Sequence, residues 1–295
     1  MPALGLLLLV GCAGGDGEAS AARSSGTPTA SPGTTVREPP QDDAGAPSVA
    51  DLPVVHVHAL DVDPADGALL VATHTGLLRA VDGDDPGRPG PATWDLMGFA
   101  VAEPGTYVAS GHPGAGDPGP GLAGLLRSED GGRTWEQVSL AGEADFHALD
   151  ADGDVVAGAN SADGRLYLSE DQGESWDVVA PPGPVADLVV LADEGRLLVA
   201  TPDGPLVGAL DDPALEPVTS APLVRHLAAG EDGLVVGVTT DGAVHLSEDA
   251  GTTWTAAVAR ADGAVVATAV DAAGDLVVLD DTGATSTVAL EGTGA

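Results

Sequence analysis

The strongest constraint on this chain is a repeat. Ser128-Glu129-Asp130-Gly131-Gly132-Arg133-Thr134-Trp135 returns as Ser169-Glu170-Asp171-Gln172-Gly173-Glu174-Ser175-Trp176 and as Ser247-Glu248-Asp249-Ala250-Gly251-Thr252-Thr253-Trp254. The shared pattern is Ser-x-Asp-x-Gly-x-x-Trp. Trp135 and Trp176 are 41 residues apart, and Trp176 and Trp254 are 78 apart, twice 39. A period near 40 signals repeated supersecondary units, none able to bury its own apolar face alone. Short apolar runs flank each copy, so the local reading is strand, turn, strand. The Ser and Asp side chains can bond backbone N–H groups inside the turn. Gly132, Gly173 and Gly251 supply a position where φ can be positive. Trp135, Trp176 and Trp254 open the next strand and can cover the turn. The rival reading, an acidic Ca²⁺ loop, offers few carboxylates and a Trp where oxygen ligands are needed.

Aligning the rest of the chain on this period gives six units. The first runs through Val55–Leu60, Ala68–Thr73, Gly76–Val81 and Trp94-Asp95-Leu96, with a degraded turn and an insertion at 82–91. The second starts at Gly98–Val101 and the third at Asp145–Leu149. The fourth starts at Val185–Val190 and loses its turn motif at Asp211-Asp212-Pro213. The fifth starts at Arg225-His226-Leu227, and the sixth, from Val265, lacks a fourth strand. The expectation is all-β: a six-bladed β-propeller over residues 51–292, each blade four antiparallel strands around a channel. A strand from residues 48–54 could complete the last blade and remove an open edge. Seven blades would need residues the chain does not have.

Residues 13–50 are rich in Gly, Ala, Ser, Thr and Pro, cannot bury a core, and read as a disordered tether. Before them, Leu4–Val10 is too short to span a bilayer and ends in Leu9-Val10-Gly11-Cys12. Cys12 is the only cysteine, so no internal disulfide can form. With 46 acidic and 10 basic residues, every basic one an Arg, the net charge is −36. Such a chain repels nucleic acid and anionic surfaces. It suits a solvated surface from a GC-rich or salt-tolerant bacterium. We expect a monomer.

The histidines carry the best chemical signal. His56-x-His58 aligns with Asp145-x-His147, and residues i and i+2 of a strand share a face. The first strand of a blade is innermost, so both pairs can line the channel. His74 and His112 follow second strands, whose loops open at the mouth where first strands begin. His56, His74, His112 and Asp145 should therefore cluster at one mouth, with His58 and His147 deeper. Imidazoles with a carboxylate suit a transition metal or acid–base work. They also suit capping of strand ends, and both readings stay open. His226, with Asp187 as its counterpart in the fourth unit, is read as equivalent to His58 and His147. His245 reads as structural. The repeated turns fall at the opposite face.

The three turns resemble the Asp-box (BNR) repeat of sialidases, sortilin-type receptors and some xyloglucan-cleaving enzymes. Leu9–Cys12 resembles a bacterial lipobox, which implies cleavage before Cys12, its acylation, and a place on the outer face of the cytoplasmic membrane. The basic n-region is missing. As a whole, the chain resembles actinobacterial lipoproteins grouped with Asp-box glycosyl hydrolases, through His56–Pro64, Ala72–Arg79, Gly111–Gly114 and Asp145–Leu149. The resemblance to sialidases implies an arginine triad, a Tyr–Glu nucleophile pair and an Arg-Ile-Pro motif, and none is found. Only Tyr107 and Tyr167 exist, in predicted strands, and Arg127 and Arg133 flank a turn on the wrong face. The leading expectation is therefore a binding module with its ligand or metal at the histidine mouth. The alternatives are a glycoside hydrolase acting on extracellular glycan and an assembly scaffold, like the Asp-box propellers that help build photosystems. A glycan or an envelope protein is the expected partner, besides the membrane through the anchor.

Overall fold

In the computed structural model of the chain, residues 56–81, 87–114, 119–181, 183–212 and 214–290 are described. The lipobox with Cys12, the tether and residues 48–54 lie outside them. Among the described residues twenty-two strands form six antiparallel sheets, each in sequence order. Blade one holds β1 (Val57–Asp63), β2 (Ala68–Thr73) and β3 (Gly76–Ala80). Blade two holds β4 (Asp95–Glu103), β5 (Thr106–His112), β6 (Leu125–Ser128) and β7 (Glu136–Ser139). Blade three holds β8 (Phe146–Asp152), β9 (Val155–Asn160), β10 (Arg165–Ser169) and β11 (Asp177–Val179). Blade four holds β12 (Asp187–Leu191), β13 (Arg196–Ala200), β14 (Leu206–Ala209) and β15 (Glu216–Pro217). Blade five holds β16 (Val224–Ala229), β17 (Val235–Thr239), β18 (Ala243–Ser247) and β19 (Thr255–Arg260). Blade six holds β20 (Val265–Val270), β21 (Leu276–Asp280) and β22 (Thr285–Val288).

The first strands β1, β4, β8, β12, β16 and β20 contact one another in that order, and β20 returns to β1, so the ring closes. Among the described residues the core consists of six hydrophobic clusters, mostly aliphatic, each shared by two neighbouring blades. Leu69, Val71 and Leu78 of blade one pack with Val277 and Leu279 of blade six, which seals the ring. β2 is buried at all six positions, as expected of a strand covered on both faces. This explains why alternation is blurred in such strands.

The expected boundary of blade one is wrong. Asp95-Leu96 do not form its fourth strand; they begin β4, the inner strand of blade two, and Trp94 precedes it. Asp95 through Glu103 is one continuous strand. Its glycine is a packing site: a Cβ on Gly98 would lie 2.5 Å from the Phe146 carbonyl oxygen of blade three. Blade one has three strands among the described residues, and a single bridge from Arg79 to Gly87 stands where a fourth would pair.

The repeated turns behave as their chemistry predicts. Ser169 Oγ accepts the Gly173 N–H at 2.8 Å and donates to Asp171 Oδ1 at 2.8 Å. Asp171 in turn accepts the Ser175 N–H at 2.8 Å and the Ser175 hydroxyl at 2.6 Å. The hydroxyl and backbone donors of Ser175 hold the Asp171 carboxyl down at about 2. The turns at Ser128 and Ser247 repeat the set, with Thr134 and Thr253 as the hydroxyl donors. The glycines have φ of 80°, 85° and 80°, and a Cβ on any of them would overlap a leucine of the preceding blade: Leu77, Leu125 or Leu198. Each turn therefore closes a hairpin and docks it on its neighbour.

Candidate metal centre

Blades one to three build a histidine-rich rim at one mouth of the channel. Each of the inner strands β1, β4 and β8 carries a one-residue register shift near its start. The displaced residue is His58 in blade one, Met97 in blade two and His147 in blade three. Bulges re-aim a side chain and sit next to functional sites. Two residues earlier come His56, Asp95 and Asp145. Opposite these, at the ends of the second strands or just beyond, lie His74, His112 and Ser161. The rim is thus a pattern repeated over three blades.

His58, His74 and Asp95 converge. One ligand atom from each lies within 4.8 Å of the others, the only such set of three or more His, Cys, Asp or Glu among the described residues. His58 Nε2 is 3.3 Å from His74 Nδ1, and His74 Nδ1 is 2.6 Å from Asp95 Oδ1. Two ligands held tetrahedrally at roughly 2.0–2.1 Å from Zn²⁺ lie about 3.3–3.4 Å apart; the histidine pair stands at that separation, whereas His74 and Asp95 are at hydrogen-bond distance and would part to share an ion. Burial first, and the nearby His74 ring second, lower His58 to about 4. Its imidazole is neutral at pH 7, the form that binds a metal. His56 packs edge-on against His74 with ring centroids 5.1 Å apart.

The other half of the rim is an ion-pair chain. Asp145 is buried, and its Oδ2 contacts His147 Nε2 at 2.9 Å and the Ser161 hydroxyl at 2.8 Å. Burial pulls Asp145 upward, but the bonds from His147 and Ser161 prevail and hold it below its ordinary value. The same bond raises His147. Asp145 Oδ1 is buried with no hydrogen-bond partner. His112 links the halves, with Nδ1 3.8 Å from Asp95 Oδ2 and Nε2 3.6 Å from Asp145 Oδ2.

The six residues singled out in the sequence, His56, His58, His74, His112, Asp145 and His147, all line this rim, but they do not share one centre. Asp95 is the member of the converging set that sequence reasoning missed. It had been placed in an outer strand, although Asp95-x-Met97 matches His56-x-His58 at a spacing of 39 residues. His226 is also corrected. The displaced residue of β16 is Arg225, so Arg225 is the equivalent of His58 and His147, and His226 matches Ala59 and Ala148. The reading was one residue out: the spacing of 78 between Trp176 and Trp254 leads from His147 to Arg225, not to His226.

Below the rim, a central cavity of about 940 Å³ is lined by His58, Met97, His147 and Arg225, and deeper by carboxylates. Asp61 accepts the Val101 N–H at 2.7 Å, Asp150 the Val190 N–H at 2.7 Å, and Asp187 the Leu227 N–H at 2.8 Å. Each bond joins one blade to the next. Burial raises Asp61 and Asp187 to about 6 and Asp150 well above its ordinary value.

No family model matches the chain, and no curated protein does. Solved structures match in fold. XC5397, a gluconolactonase from Xanthomonas campestris, is 15% identical with a TM-score of 0.61, covering 80% of this chain and 87% of that one. The WD40 propeller domain of Doa1 is 13% identical with a TM-score of 0.53, covering 80% and 94%. The GH74 xyloglucanase from Xanthomonas campestris is 18% identical with a TM-score of 0.50, covering 83% and 46%. At these identities the likeness is one of fold. A propeller hosts many unrelated functions, so function must be argued from the site.

Proposed function

We propose that this chain is a metal-binding propeller whose ion sits at the channel mouth on His58, His74 and Asp95. The observation that carries this reading is the convergence of those three side chains, drawn from two blades, within 4.8 Å. Three protein ligands leave at least one coordination position for water or a bound molecule, as in open zinc sites. The rim faces the mouth, so a ligand can reach that position. The rest of the proposal concerns place: an acyl chain on Cys12 holds the propeller outside the cytoplasmic membrane, where the ligand would be an envelope glycan or protein. The absence of lysine and the net charge of −36 disfavour nucleic acid as a partner.

Metal analysis of tag-free protein tests the site. After reloading, about one equivalent of a transition metal should bind per chain, and His74→Ala should abolish it. Less than about a tenth of an equivalent in the unaltered protein overturns the reading. The anchor is tested separately by mass spectrometry of the N-terminal peptide. A diacylglyceryl group on Cys12, and release of a Cys12→Ser variant from membranes, support it.

A further inference from the structure

Met97 stands out against the rest of the chain. Of the two methionines, the other is residue 1, and the hydrophobic clusters among the described residues contain neither. Methionine commonly fills irregular gaps in cores. Met97 fills none: it is half-buried, lies in none of the six hydrophobic clusters, and lines the central cavity. Its place is set by the bulge. It is the displaced residue of β4, as His58 is of β1 and His147 of β8, in consecutive blades. It is also two residues from Asp95, which supplies the carboxylate of the proposed centre. The mouth therefore presents a thioether in the row between two imidazoles, beside a further histidine and a carboxylate.

Ligand softness separates the metals such a set can hold. Thioethers contribute little to Zn²⁺, Mg²⁺ or Ca²⁺ and select cuprous copper, while imidazole serves both copper states and zinc. We propose that the ion held at this mouth is copper, with the Met97 sulfur as the ligand that favours Cu(I). The inference rests on the metal-binding reading above and narrows it to one metal.

The test is anaerobic competition for Cu(I) against bicinchoninate with the full chain, run beside Zn²⁺ titration. Met97→Leu keeps volume and apolar character. It should weaken Cu(I) binding by about tenfold or more and leave Zn²⁺ binding within about threefold. X-ray absorption of the Cu(I)-loaded Cys12→Ser variant gives an independent readout. With that cysteine gone, Met97 and Met1 are the only sulfurs, so a copper–sulfur shell that disappears in the double variant assigns Met97. Unchanged Cu(I) affinity in Met97→Leu, or no sulfur in the copper shell, overturns the copper assignment. Zn²⁺ bound without competitive Cu(I) binding also overturns it while leaving the metal centre standing. Failure of both metals to bind removes the metal centre itself.

Discussion

Tyr107→Phe should destabilise the propeller without disturbing the mouth. The Tyr107 hydroxyl donates to Asp63 Oδ2 at 2.6 Å and joins β5 of blade two to the end of β1 in blade one. Tyr107 is 0% exposed and Asp63 2% exposed, so the bond is shielded from bulk solvent, although both residues border a pocket of about 530 Å³. Phenylalanine keeps the ring and its edge-on contact with Phe99, whose centroid is 5.5 Å away. The change thus removes the hydrogen bond to a buried carboxyl group, together with the hydroxyl's interaction with Arg79, and little packing. Hydrogen bonds to charged groups contribute about 1.5–3 kcal/mol, and the orphaned oxygen keeps its desolvation penalty. For a domain of this size each kcal/mol shifts Tm by about 2–4 °C, so a fall of about 3–12 °C is expected. Urea unfolding followed by tryptophan fluorescence gives the free energy directly. A double-mutant cycle with Asp63→Asn isolates the pair. The bond lies at the end of β1 away from His58, so metal binding should not change. A loss below about 0.5 kcal/mol would refute the argument that this bond ties the two blades together.

Ser169→Ala should cost about 1–3 kcal/mol in urea unfolding, because the Gly173 N–H it satisfies is buried. A loss no larger than that of an exposed serine would show that the turn is held by Asp171 alone. The raised carboxyl of Asp187, at about 6, makes stability depend on pH. Between about pH 4 and 6 the native state keeps a proton that the unfolded chain releases, so this contribution is full below pH 4 and lost as pH rises through 6. His58 and His226, both lowered to about 4, act in the opposite sense. The diagnostic is therefore the difference between wild type and Asp187→Asn, which should shrink steadily from pH 4 to 6; a flat difference contradicts the assignment. Metal at about a hundredfold excess over its Kd should stabilise the fold by about 2.7 kcal/mol. That gain should vanish in His74→Ala in a thermal-shift assay, and a gain equal to wild type would place the ion elsewhere.

Most of the architecture was legible because its signals are local and periodic. Three turns in phase count the blades, and their Ser, Asp and Gly side chains bond within a few residues of one another. Where the period degraded, at the insertion after blade one, the reading misplaced Asp95 and with it a ligand of the candidate centre. Gly98, inside the same strand, shows another limit: only the carbonyl of Phe146, in another blade, explains why a glycine is needed there. The His226 assignment failed because it stood one residue off the spacing of 78 that separates Trp176 from Trp254, which leads from His147 to Arg225.

The sequence by itself determined the repeat, the all-β class, the blade count and the collection of histidines at one mouth. These follow from short-range turn chemistry and a period near 40. Only the tertiary structure decided which side chains meet. It separated His58, His74 and Asp95 from the chain of His112, Asp145 and His147, and it set Met97 in the row between two histidines. The physical reason is that convergence depends on bulges and blade-to-blade packing, which involve residues about 40 apart. The Ser-x-Asp-x-Gly-x-x-Trp turns make that packing reproducible: each docks its glycine on a leucine of the blade before it and so sets the register in which the rim is assembled.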